Sequence, residues 1–478
     1  MVLEPGGELL MTAETIFALA SGAGRAGIAI IRISGPGAGP ALAAITGGKA
    51  GASPEPRRAT AVKLSDPETL VAIDDGLALW FPAPDSFTGE DVAELHVHGG
   101  PAVIMGALEA LGAMPGLRTA EPGEFTRRAF ENGKMDLTAA EGLADLVEAE
   151  TSAQRRQALK QLRGDLGRFY ESWRERLLGA LAHIEAGIDF SDEDLPGGPG
   201  GVEAAAAEEV GKLVGEIAAH LKDNRRGERL RSGLLITIIG PPNAGKSSLL
   251  NLLARRDAAI VAETAGTTRD VIEVHLDLGG YPVIVADTAG LRDVGDGGDG
   301  GDDVEAEGIR RAKGKAREAD LRLAVFDGQT WPETDAHTAG LVDADTLAVI
   351  NKSDLGPPAP PLEVGGRPAL AISALTGDGI ETFLAAAAER VAGLMETAPS
   401  SVIGPALTRA RHREALEECR AALERFLAAA DNDKGSGKTP ELAAEDLRLA
   451  ARALGRITGR VDVEDVLDAI FRDFCIGK

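Results

Sequence analysis

Nine residues, Gly240-Pro-Pro-Asn243-Ala244-Gly245-Lys246-Ser247-Ser248, constrain this chain more than any others. They follow the apolar run Leu234–Ile239 and precede Leu249-Leu-Asn-Leu-Leu253, which reads as strand, glycine-cornered loop, helix. A G-x-x-x-x-G-K-S spacing in that setting is a phosphate-binding loop. Gly240 and Gly245 let the backbone curl so that its N–H groups point inward at phosphate oxygens. Lys246 reaches the β- and γ-phosphates, and Ser247 offers its hydroxyl to Mg²⁺. The helix that starts at the loop adds its positive end.

Around this loop, strand signals at Leu234–Ile239, Val271–Leu278, Pro282–Ala286, Leu321–Phe326, Leu347–Ile350 and Ala369–Ile372 alternate with helices. That alternation predicts a mostly parallel sheet with helices on both faces. Upstream, Gly27–Ser34, Gly76–Phe81 and Asp91–His98 read as strands and Ala102–Leu111 as a helix, so the chain before Asn132 is expected to form an α+β domain. Helical spacing then runs over Ala139–Leu166, Gly167–Ile188 and Gly201–Leu221, with Lys222–Arg231 as a charged hinge into the phosphate-loop strand. Helices return at Pro405–Leu427, Pro440–Leu454 and Val463–Phe474. The expected division is an α+β domain at 1–133, a helical half at 134–231, an α/β domain at 232–393 and a second helical half at 394–478. The fold class is thus multidomain α/β and α, with the α/β domain inserted into a discontinuous helical one.

Composition narrows the partners. The 478 residues include 50 basic and 75 acidic side chains, a formal charge of −25. So acidic a chain does not coat nucleic acid with its whole surface, and at 4% aromatics it has few platforms for base stacking. Any RNA contact must be local or come through a partner. Two distant cysteines, Cys419 and Cys475, exclude a disulfide framework and fit a reducing cytosol. There is no charged-then-apolar leader and no apolar run long enough to cross a bilayer, so a cytoplasmic location is expected. The first ten residues read as loop, with Met11 as an alternative start.

Further motifs follow in order. Asp287-Thr288-Ala289-Gly290 ends a strand; its carboxylate suits Mg²⁺ through water, and the Gly290 N–H suits a γ-phosphate sensor. Asn351-Lys352-Ser353-Asp354 ends another. The Asp354 carboxylate can accept from guanine N1–H and the 2-amino group, a pair that adenine lacks. Ser373-Ala374 after the last strand suits a backbone contact to guanine O6. Together they describe a GTP-binding domain. In Glu263-Thr264-Ala265-Gly266-Thr267-Thr268-Arg269-Asp270, Thr268 is placed to close on Mg²⁺ and the γ-phosphate. Leu291 stands where Ras-type GTPases carry a water-orienting glutamine, so transition-state charge must be met otherwise. Asn243 is a candidate ligand for a monovalent cation doing that work. His96 and His98 share a strand face, but with no third ligand they read as structural. Cys419, among Leu416, Ala421 and Leu423, reads as core. Basic runs at Arg155, Arg156, Lys160 and Arg163, at Arg409, Arg411, His412 and Arg413, and at Arg448, Arg452, Arg456 and Arg460 read as solvated helix faces before RNA sites.

The phosphate loop, Gly266-Thr-Thr-Arg-Asp270, Asp287-Thr-Ala-Gly-Leu-Arg292 and the terminal Phe474-Cys-Ile-Gly-Lys478 together closely resemble the MnmE (TrmE) family of tRNA-modification GTPases. Gly27-Ile-Ala-Ile-Ile-Arg-Ile-Ser-Gly35, Ser86-Phe-Thr-Gly-Glu-Asp91, His98-Gly-Gly-Pro101 and Pro122-Gly-Glu-Phe-Thr126 match too, and so does the order of domains. The resemblance implies a homodimer whose G domains meet face to face in a K⁺-dependent way. It implies K⁺ held by Asn243, Ala262, Thr264 and Thr267, and Mg²⁺ held by Ser247 and Thr268. It puts the catalytic glutamate at Glu305, with Glu307 the alternative, after an acidic glycine-rich expansion, Gly295–Asp303, that departs from the family's pattern. It further implies a reduced folate (5-formyl- or methylene-tetrahydrofolate) bound in an N-terminal domain, which also dimerises, at Arg32, Glu94, Lys134 and the terminal Lys478. Cys475 would lie near that site with a chemical role.

The expected activity is therefore K⁺-stimulated GTP hydrolysis. Together with the FAD-dependent partner MnmG (GidA), it would modify C5 of the wobble uridine, position 34, of certain tRNAs with a folate one-carbon unit, giving a carboxymethylaminomethyl-type product. A regulatory switch in ribosome assembly is the alternative, and a folate-binding scaffold with vestigial GTPase activity is a third reading.

Overall fold

The computed structural model describes residues 14–48, 54–189, 199–256, 273–287, 319–356, 358, 360, 362–396, 404–431, 440–461, 467, 470–472, 474 and 476–477. The chain forms two compact units, residues 1–144 with 455–478, and residues 145–454.

The first unit carries β1 (Thr15–Leu19), β2 (Ala26–Ser34), α1 (Ala38–Ile45), β3 (Thr60–Ser65), β4 (Ala72–Phe81), β5 (Val92–Gly99), α2 (Pro101–Gly112), β6 (Leu117–Thr119) and α3 (Glu124–Glu131). Its sheet runs β3-β4-β5-β2-β1-β6. Every pair is antiparallel except β1 with β6. Alternation decides the faces. Phe17, Ile31, Ile33 and Leu95 join Leu42 of α1 and Leu111 of α2 in one core. Ile16 and Ala18 point the other way, against Phe125 of α3 and Phe87. Arg32 and Glu94 are register partners on β2 and β5. They fall out of phase with Ile31, Ile33 and Leu95, so they lie on the face opposite α1 and α2.

After α4 (Leu137–Glu148), the second unit holds α5 (Ser152–Leu162), α6 (Asp165–Asp189), α7 (Pro199–Leu221) and α8 (Arg226–Ser232). The α/β layer follows: β7 (Leu234–Ile239), α9 (Lys246–Ala254), β8 (Glu273–Leu278), β9 (Tyr281–Asp287), β10 (Leu321–Asp327), α10 (Ala336–Ala339), β11 (Thr346–Asn351), β12 (Glu363–Val364), β13 (Arg367–Ala371) and α11 (Ile380–Glu396). α12 (Ala410–Asp431) and α13 (Pro440–Thr458) close the order. The sheet runs β12-β13-β11-β10-β7-β9-β8, parallel except at its two edges. Both faces are covered. On β10, Leu323 and Val325 enter one core while Ala324 and Phe326 enter another, as buried parallel strands require. Among the helices, Tyr170 and Trp173 of α6 stack with His220 of α7, and the Tyr170 hydroxyl lies 3.1 Å from His220 Nε2.

Three expectations change. The helix over Ala139–Leu166 is two helices, because Thr151 caps α5: its hydroxyl accepts the Gln154 N–H while the Gln154 side chain accepts the Thr151 N–H. The supposed hinge Lys222–Arg231 contains α8, which is tied down by charge. Glu228 pairs with Arg413, Arg229 with Asp320, and Arg231 with Asp145. In the first unit, β1, β3, β6, α1 and α3 are additions to the strands and helix read from sequence. The helix expected over Val463–Phe474 falls largely outside the described residues.

Candidate functional site

β7 delivers the phosphate loop at the centre of the parallel sheet. Gly240 has φ +154°, and a Cβ there would meet the Val325 carbonyl of β10 at 2.3 Å. Gly245 has φ +90°, and a Cβ there would sit 2.2 Å from Asn351 Nδ2. Both positions therefore require glycine, for conformation and for close approach. Lys246 is the first residue of α9 and only 8% exposed. Its Nζ donates to the Gly240 carbonyl at 3.0 Å and the Pro241 carbonyl at 2.8 Å, so the charge sits within the curl of the loop. Ser247 and Ser248 are exposed in the first turn of α9, and Ala244 is buried beneath them.

One side chain joins this loop to the two loops expected to read the base. Asn351, at the end of β11 and 2% exposed, donates from Nδ2 to the Ala244 carbonyl at 2.8 Å. Its Oδ1 accepts the Ala374 N–H at 2.9 Å. Ser373, fully buried, donates its hydroxyl to Asp354 Oδ1 at 2.5 Å. The Ser353 N–H reaches the Ile372 carbonyl at 3.0 Å. Asn351, Asp354, Ser373 and Ala374 thus form one connected group, as the motif order implies.

Asp327, at the end of β10, was not singled out by sequence. Its Oδ2 lies 2.6 Å from Lys352 Nζ. Burial works against its charge, but Lys352 and the Gln329 N–H outweigh burial and hold the carboxyl below the ordinary range. The signal was present: an aspartate ending a strand, as Asp287 does, followed by a glycine.

Ser247 supplies a hydroxyl oxygen at the start of α9, and the backbone of Asp287 ends β9 in register with Ile238 beside the loop. An exposed hydroxyl in the first turn of the loop's helix fits Mg²⁺. Asn243, exposed and at φ +61°, presents a carboxamide at the loop's tip. Ala262, Glu263, Thr264, Ala265, Gly266, Thr267, Thr268, Thr288, Ala289, Gly290, Glu305, Glu307, Cys475 and Lys478 lie outside the described residues.

In the first unit, Arg32 donates from Nε to Glu94 Oε1 at 3.0 Å. Its guanidinium carbon stands 5.1 Å from the Phe87 ring centroid and 5.7 Å from that of Phe125. Lys134 donates to the Pro84 carbonyl at 2.8 Å. His98 pairs with Asp74 and His96 with Glu94, and no metal-holding cluster of three such side chains occurs among the described residues.

A phosphate loop on an interior parallel strand, bridged by one buried asparagine to the loop of Ser373 and Ala374, is the arrangement of a GTPase of the phosphate-loop class. Residues 137–475 match the family model of the MnmE helical domain, and residues 15–134 match that of the GTP-binding protein TrmE N-terminus. The tRNA modification GTPase MnmE of Parvibaculum lavamentivorans is 57% identical over 97% of this chain and 100% of its own length. The protein of the same description from Paramagnetospirillum magneticum is likewise 57% identical, over 97% and 100%. The mitochondrial 5-taurinomethyluridine-[tRNA] synthase subunit GTPB3 of Danio rerio is 47% identical over 97% of this chain and 93% of its own. The chain belongs to the MnmE (TrmE) family, as its motifs implied.

Proposed function

We propose that this GTPase works in tRNA modification at C5 of the wobble uridine, using a reduced-folate one-carbon unit and an FAD-dependent partner. Hydrolysis drives opening and closing of paired G domains in a homodimer and leaves the added group to the folate. In this reading the segment 232–393 is the G domain, 134–231 and 394–478 are the helical halves that carry it, and 1–133 holds the folate and dimerises. Asn243, with Ala262, Thr264 and Thr267, holds K⁺. Ser247 and Thr268 hold Mg²⁺, and Glu305 orients the attacking water. The similarity to tRNA modification GTPases and to a 5-taurinomethyluridine-[tRNA] synthase subunit supports the tRNA substrate. The cytoplasm is the proposed location; among the described residues no helix is long and apolar enough to cross a membrane.

The observation that carries the folate half is the Arg32–Glu94 pair flanked by Phe87 and Phe125. The half-buried Phe87 ring beside a carboxylate and a guanidinium suits a flat ring bearing both donors and an acid tail, while the fully buried Phe125 backs the guanidinium. Calorimetry of the full chain with 5-formyl-tetrahydrofolate tests it. Binding that weakens about tenfold or more in Arg32→Ala is expected from the loss of charged hydrogen bonds. No binding by the unmodified chain would leave the regulatory switch instead. For hydrolysis, turnover is expected to be faster in KCl than in NaCl, and Asn243→Ala is expected to bring the ratio towards one. A ratio unchanged by that substitution would remove K⁺ from Asn243.

A further inference from the structure

We propose that Asp327 is a positioning residue for guanine recognition, acting through Lys352. The geometry is local and closed. Lys352 lies between Asn351, which ties the phosphate loop to Ala374, and Asp354, which reads the base. It does so at φ +66°, a left-handed conformation that non-glycine residues seldom adopt. The backbone on either side is pinned. The Gly328 N–H donates to the Asn351 carbonyl at 2.8 Å, and the Ser353 N–H donates to the Ile372 carbonyl at 3.0 Å. A Cβ at Gly328 would meet that Asn351 carbonyl at 2.6 Å, so the chain crosses there with no room for a side chain.

What fixes the Lys352 side chain is Asp327. The two charges meet at 2.6 Å with side chains 26% and 18% exposed, and the second carboxylate oxygen is engaged by the Gln329 N–H at 3.0 Å. A carboxylate held from both sides has a defined orientation. The lysine is thereby stretched back towards the end of β10, and its charge is answered there. Its alkyl stem, not its charge, is what the base slot beside Asp354 meets. Without the carboxylate, the ammonium would be a mobile cation next to the one anion that selects guanine, and Asp354 would have an internal competitor for its oxygens. Asp327 thus keeps Asp354 available and Lys352 out of its way.

The test compares Asp327→Asn with Asp327→Glu in the full chain, by calorimetry with GDP and with IDP, which lacks the 2-amino group, and by steady-state GTP turnover. Asp327→Asn is expected to weaken GDP about tenfold, the scale of one charge-assisted hydrogen bond. KM should rise more than kcat falls. The GDP-over-IDP preference should narrow, because it depends on an unencumbered Asp354. Asp327→Glu, which keeps the charge, should recover part of the preference. A lowered melting temperature with GDP affinity and base preference unchanged would make the pair a mere brace between β10 and β11 and overturn the proposal. So would a fall in kcat at constant KM, which would place the carboxylate in the chemistry.

Discussion

Asn351 shows how much can rest on one amide. Its two polar atoms serve different loops, and neither bond can be made by the other common strand-end residues without loss. Asn351→Ala removes both, leaving a buried carbonyl and a half-buried N–H without that partner. At about 1–1.5 kcal/mol each, GDP affinity should fall roughly thirty- to a hundred-and-fiftyfold, which calorimetry would read directly. Cys419 offers a contrast. Cys419 is fully buried, and burial pushes its thiol up to about 12. In the native protein at pH 8, iodoacetamide should leave it unlabelled until denaturant is added, as peptide mapping would show. The asparagine and the aspartate of the base loop were legible in the sequence because their chemistry is local to a motif. Asp327 carried a local signal, an aspartate ending a strand before a glycine, but its partner Lys352 follows the adjacent strand, a relation that spacing does not encode. The Arg32–Glu94 pairing was equally out of reach, since register, not sequence, sets the two opposite each other.

At the scale of elements, the strands of the α/β layer were the easiest to read. β7 matches its apolar run residue for residue, because a strand buried on both faces is a continuous hydrophobic word. β1 has the same character but only five residues, and β3 is a largely exposed edge strand, so neither announces itself. The break between α4 and α5 was hidden because apolar spacing continues across it, and the decisive signal was a polar cap. Thr151→Ala should cost about 1 kcal/mol in a denaturation midpoint experiment. α8 was hidden for the opposite reason: charges hold it. Glu228 is the clearest. Burial raises its carboxyl, but Arg225 and Arg413 outweigh burial and bring it below the ordinary 4.5. Its contribution to stability is therefore complete above the unfolded value of 4.5 and disappears as pH falls through the lower folded value. Glu228→Gln should be less stable than the parent at pH 7, and the gap should close in acid, as thermal unfolding across that range would reveal. Gly227 in the same helix leaves no space, since a Cβ would come within 2.0 Å of the Leu407 carbonyl. Gly227→Ala is expected to destabilise by about 1–3 kcal/mol or more.

For the molecule as a whole, a charge of −25 must be reconciled with the proposed tRNA substrate. Of the three basic runs, two spend cations internally. Arg409 lies on Asp145 and Arg413 on Asp223 and Glu228, while Arg448 pairs with Glu185 and Glu445. Arg409, Arg413 and Arg448 are thus less available to displace counterions from a phosphate backbone. Filter binding of tRNA to the chain alone is expected to show a shallow dependence on log salt, with a slope corresponding to only a few phosphates, and adding the proposed FAD-dependent partner is expected to steepen it. The alternation of strand and helix patterns in the α/β layer was visible along the chain, whereas the fate of each cation was not. The short α8 then acquires a mechanical meaning. It is riveted to the helices by Glu228 and Arg231, and after Gly233 it becomes the strand that ends in the phosphate-gripping turn. The phosphate loop and the helices that hold α8 are thereby joined by ion pairs and one continuous stretch of backbone, so the departure of a phosphate would be felt beyond the sheet.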